Sequence, residues 1–115
     1  MGLNFYVVFD FNLKEQTNKV IHLGKRSHLF KFVFCSHDHV ETDSSESEWE
    51  LKAYDHWVHF IAYNQTVIVD EYGRQYDSGV FMQSIIDRQV SPHMKDGICD
   101  FKDKDGFMFV KGEWI

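Results

Sequence analysis

Between His28 and Cys35 the chain alternates strictly: Leu29, Lys31, Val33 and Cys35 interleave with Phe30, Phe32 and Phe34. A repeat of two is the side-chain period of an extended strand, so the three phenyl rings fall on one face. Each buried ring removes on the order of 150–250 Å² from water, so a second layer is expected to cover that face. The expected architecture is therefore α+β, with helices packed on one side of a sheet.

Neighbouring segments supply the remaining elements. Residues Asn4 to Phe11 are aromatic and β-branched and read as a first strand. Val20 to Leu23 reads as a short second strand ended by Gly24, after a polar turn from Asn12 to Lys19. A polar, acidic stretch from His37 to Ser47 reads as a surface loop. Ser47 followed by Glu50 has the spacing of a capping box, which starts a first helix from about Glu48 to Tyr63 with Ala53, Tyr54, Trp57, Val58 and Ile61 as its stripe. Val67 to Val69 gives a fourth strand, with Asp70 to Arg74 as a charged turn. Asp77 or Ser78 caps a second helix that buries Phe81, Met82, Ile85 and Ile86 and stops before Pro92. Asp105 and Gly106 make a tight turn between Ile98 to Phe101 and Phe107 to Val110. The sum is one domain over residues 1–115, with a largely antiparallel sheet of about five or six strands and two helices on one face.

Composition narrows the classes of function. A formal charge of −6 disfavours general nucleic-acid binding, which needs clustered cations to neutralise phosphates. Two cysteines are too few for a disulfide framework, and a reduced, cytoplasmic setting is expected. The first residues lack the basic and apolar regions of a signal peptide, and no run reaches membrane-spanning length, so no membrane association is expected.

On this acidic background one segment stands out. Val20 to Ser27 runs apolar to a glycine and then presents Lys25, Arg26 and Ser27, with His22 just inward. His22, Gly24, Lys25, Arg26 and Ser27 form the candidate edge for an anionic ligand, with the backbone amides after the glycine open to the anion. The preceding glycine and five-residue loop of a P-loop are missing, so nucleotide hydrolysis is not implied.

A second cluster, Cys35, His37 and His39, holds three metal-compatible donors at alternate positions, which a strand would turn to one side. Cys99 is the candidate fourth ligand, and zinc the candidate ion. No second ligand pair of the usual spacing is present, so the expected cofactor complement is none. His56 and His59 sit three apart on the first helix without the glutamate of a zincin site, and no nucleophile elbow exists. The chain is therefore read as a non-enzyme.

Three phrases resemble a family of small uncharacterised bacteriophage accessory proteins. They are His22 Leu23 Gly24 Lys25 Arg26 Ser27, then Val69 Asp70 Glu71 Tyr72 Gly73 Arg74, then Phe107 to Trp114 ending in a glycine, glutamate and aromatic residue. Many relatives carry an N-terminal Cys-x-x-Cys; residues 12–18 here contain none, so a zinc role does not carry over. The resemblance implies a phage-encoded accessory protein in the host cytoplasm, acting in host takeover or anti-defence. The leading expectation is a binding module for a host protein, through Glu41, Asp43, Glu46 and Glu48 and the edge of the first helix. A sponge for an anionic nucleotide signal is the second expectation, and a metal-dependent enzyme built on Cys35, His37 and His39 the third.

Overall fold

The structure is a computed structural model that describes residues 2–43 and 47–111. Its frame is a long hairpin of β1 (Gly2–Asn12) and β2 (Thr17–Ser27). Strands β3 (Val33–Val40), β4 (Trp49–Leu51), β5 (Val67–Asp70), β6 (Gln75–Tyr76), β7 (Phe101–Lys102) and β8 (Met108–Lys111) complete it. The sheet order is β6-β5-β1-β2-β3-β8-β7, with β4 paired to β3 outside that path. Pairing is antiparallel except between β3 and β8, which run parallel. The α+β class holds, but among the described residues there are eight strands where five or six were expected. The surplus comes from β4 and β6, which at three and two residues are too short to display a period.

Helix α1 (Tyr54–Tyr63) and helix α2 (Ser78–Val90) share one core with the sheet. Phe5, Val7 and Phe9 of β1 alternate into it and meet Trp57 and Phe60 of α1 and Phe81, Met82 and Ile85 of α2. Phe32 and Phe34 join them, as the alternation predicted. Phe30 does not: Leu29 takes a φ of +69°, the chain turns there, and Phe30 is left 39% exposed. Val33 and Cys35 alternate with Phe34 and so face away from the helices. They form a second apolar cluster with Met108 and Val110, against which Cys99 packs.

Helix α2 starts as expected, the Asp77 carboxylate accepting from the Val80 amide at 2.9 Å. Helix α1 does not start at Glu48. Trp49 and Leu51 instead pair with Val40 and His37 of β3, which takes the Ser47–Glu50 capping box out of any helix. The helix begins after Ala53, which offers no side-chain cap. Asp103 caps it from a distance, its Oδ2 accepting from the Tyr54 amide at 2.7 Å. The same carboxylate's Oδ1 accepts from the amides of Asp105 and Phe107 and so closes the predicted β7–β8 turn, where Gly106 adopts φ +86°.

The largest departure concerns Gly24. It does not end β2; it sits in the middle of the sheet, opposite Phe5 on β1 and Phe34 on β3. A Cβ at this position would overlap the Val33 carbonyl oxygen and the Phe32 ring. The glycine is needed for close approach, not for a turn.

Candidate anion-binding groove

Cross-strand pairing sorts the candidate edge onto two faces of the sheet. Arg26 lies opposite Leu3, and its guanidinium stands 5.0 Å over the Phe5 ring, on the helix side. Lys25 lies opposite Asn4 and Val33 and points to the face the helices leave uncovered. The two consecutive cations therefore lie on opposite faces of the sheet, and the backbone of Gly24 and Lys25 belongs to the strand ladder instead of an open cradle. That corrects the expected arrangement: within the phrase, Lys25 and Ser27 border a common groove and Arg26 does not.

His22 is buried, 3% exposed, and engaged on several sides. Its Nε2 donates to Asn4 Oδ1 at 3.0 Å, its ring stacks on Tyr6 at 4.8 Å, and its carbonyl accepts from His37 Nε2 at 2.7 Å. This histidine braces β1, β2 and β3.

The groove itself has a volume of about 630 Å³. Lys25, Ser27, His28 and Lys31 supply its polar side, Phe30 and Val33 its apolar surface, and Asp96, Gly97 and Ile98 its far wall. Two backbone bonds hold that wall in place: the Lys31 amide donates to the Lys95 carbonyl, and the Lys95 amide to the Leu29 carbonyl, both at 2.9 Å. From α2, Arg88 Nη2 donates to the carbonyls of Ser27 at 2.7 Å and Phe30 at 2.6 Å, clamping the turn between β2 and β3. Burial, with a smaller repulsion from Arg26, lowers the Arg88 pKa from its ordinary value, yet a guanidinium stays charged in proteins.

Across the groove, Asp96 links two cations, Lys31 Nζ at 3.1 Å and Lys102 Nζ at 2.7 Å. Hydrogen bonds from Lys102 and then Lys31 hold its carboxyl below the usual carboxylate range. His28, Lys31 and Asp96 escaped the sequence reading as site residues. Lys25, His28 and Lys31 recur every three residues, and that spacing was the available signal; nothing local pointed to a wall supplied from residue 96.

The acidic positions are arranged differently. Glu41, Asp43 and Glu48 are exposed, and Glu46 lies outside the described residues. Lys19 Nζ reaches Asp10 at 3.0 Å and Asp43 at 3.4 Å, and the Asp43 amide donates to Asp10 Oδ2 at 2.9 Å, so this loop is tied to the β1–β2 hairpin. Glu48 lies 3.4 Å from His39 Nδ1.

Cys35, His37 and His39 are not brought to one point. The Cys35 side chain belongs to the second apolar cluster, His37 Nε2 is spent on the His22 carbonyl, and His39 takes φ +58° within an irregular stretch of the β3–β4 pairing. That irregularity destroys the alternation on which convergence depended. Among the described residues, no three His, Cys, Asp or Glu side chains gather as a metal-holding group. On α1, His56 Nδ1 accepts from the Lys52 amide at 3.1 Å while His59 leans on Tyr63, so these two serve local packing. No helix among the described residues is long and apolar enough to cross a membrane. No protein-family model, curated protein or solved structure matches the chain.

Proposed function

We propose that this protein is a non-enzymatic binding module that captures a small anionic ligand of nucleotide size in the groove beside Lys25, and that sequestration is its use. One observation carries the reading: on a chain of net charge −6, Lys25, His28 and Lys31 line a single concavity together with the apolar surface of Phe30 and Val33. Lysine ammonium groups suit a phosphate, and apolar walls suit a base. A volume of about 630 Å³ falls within the roughly 300–1,000 Å³ of small-molecule sites. The resemblance to phage accessory proteins supports a role in the host cytoplasm, where holding a nucleotide signal would blunt a defence.

Calorimetric titration with linear and cyclic nucleotides tests this. Saturable one-to-one binding that is weakened by Lys25→Ala with Lys31→Ala is the expected result, and the absence of binding across the panel overturns it.

A host-protein partner is the second reading, favoured by the exposed carboxylates of Glu41, Asp43 and Glu48 around the β3–β4 connection. Charge reversal at these three positions would then abolish capture of a saturable partner from host lysate, and capture by the reversed variant would count against it.

A further inference from the structure

The groove is not simply cationic, because Lys31 is already paired with a carboxylate of its wall. Lys31 Nζ lies 3.1 Å from Asp96 Oδ1, while the other oxygen of that carboxylate is held by Lys102 at 2.7 Å. Asp96 is carried on the far wall, and two backbone bonds between Lys95 and the Leu29–Lys31 stretch fix its distance from Lys31. An incoming anion must therefore compete with a carboxylate that is delivered at high effective concentration and cannot diffuse away.

Resting on the groove reading above, we infer that Asp96 occupies the seat of the ligand's anionic group, and that the groove takes a terminal phosphate monoester in preference to a cyclic phosphodiester. A phosphodiester brings one negative charge, no more than the carboxylate it has to displace. A terminal monoester, with a second pKa of about 6, brings close to two charges and three acceptor oxygens to Lys25, His28 and Lys31 together. The gain from the second charge offsets the loss of the Lys31–Asp96 pair and the repulsion from Asp96, which stays nearby on Lys102. Displacement moves no covalent bond: Lys31 exchanges a carboxylate partner for a phosphate partner. The Asp96 side chain is about half exposed, so its substitution leaves the core untouched.

The test titrates 5′-AMP and 3′,5′-cyclic AMP into the wild-type protein, into Asp96→Asn, and into Glu15→Gln, which removes the same formal charge at the β1–β2 turn. At about pH 8 the wild-type protein is expected to bind 5′-AMP about tenfold tighter than the cyclic nucleotide, a difference of roughly 1.4 kcal/mol. Asp96→Asn is expected to tighten 5′-AMP binding by about tenfold, while Glu15→Gln leaves it within about twofold. Tighter 5′-AMP binding by Asp96→Asn together with the wild-type preference for 5′-AMP supports the inference. Unchanged or weaker binding by Asp96→Asn overturns it, as does equal or tighter binding of the cyclic nucleotide by the wild-type protein. If neither protein binds either nucleotide, the groove reading fails and takes this inference with it, an outcome distinct from wild-type binding that Asp96→Asn does not improve.

Discussion

The Phe32 ring packs directly on Gly24, with the Val33 carbonyl beside it, so the sheet leaves no room for a side chain at that position. Both obstacles are core elements: Phe32 is 1% exposed and Val33 is paired to Lys25. Gly24→Ala is expected to lower stability by roughly 3 kcal/mol, the upper part of the range for overpacking, because a backbone carbonyl has to move. Urea unfolding checks this through a lower midpoint at unchanged slope.

Asp70 is expected to make the fold sensitive to acid. Its side chain is buried, and burial alone would push its pKa up. The Tyr76 hydroxyl at 2.8 Å, the amides of Arg74 and Tyr72 at 3.0 and 2.9 Å, and the Arg74 guanidinium at 2.7 Å together outweigh that and bring it from 3.8 to about 2. A pKa depressed by folding means that the unfolded chain binds the proton more readily. The stabilisation is thus complete above about pH 4 and lost as pH falls through about 2. Thermal midpoints measured across this window are expected to fall steeply for the wild-type protein. They should fall less for Asp70→Asn, which starts from a lower midpoint.

A single carboxylate, Asp103, caps α1 through Tyr54 and closes the β7–β8 turn through Asp105 and Phe107. Asp103→Ala loses both functions and is expected to cost about 2 kcal/mol, the upper range for a lost cap. Asp103→Asn retains one carbonyl oxygen and should cost about half as much. Chemical denaturation of the two variants side by side checks the order.

Arg88 transmits helix packing to the groove, since it holds the Ser27 and Phe30 carbonyls from α2. Arg88→Met keeps the bulk of the side chain and removes the clamp. Hydrogen exchange at the Lys31 and Lys95 amides, which close the groove wall, is expected to accelerate by about tenfold, while the amides of β1 remain protected.

Local signals made much of this legible. The second helix could be read from Asp77 and the spacing of Phe81, Met82, Ile85 and Ile86, and the terminal hairpin from Asp105 and Gly106, because both rest on neighbours in sequence. Gly24 misled because a glycine that ends a strand and a glycine over which a ring packs look alike until the ring is in place. Trp49 to Leu51 misled because pairing with β3 overrode a valid capping pattern. Lys25 and Ser27 could be picked out as candidates, but the separation of Lys25 from Arg26 depends on strand register. The wall at Asp96 depends on the bridge between Phe30 and Lys95, which no local pattern encodes.

An anionic ligand is expected on the uncovered face of the sheet beside Lys25. A titration of 5′-AMP followed by amide ¹H–¹⁵N shifts tests it most directly. Saturable shifts are expected at Lys25, Ser27, His28, Lys31, Gly97 and Ile98, with Glu41, Asp43 and Glu48 unmoved. Shifts confined to the acidic loop, or no shift at the six groove amides, would contradict it.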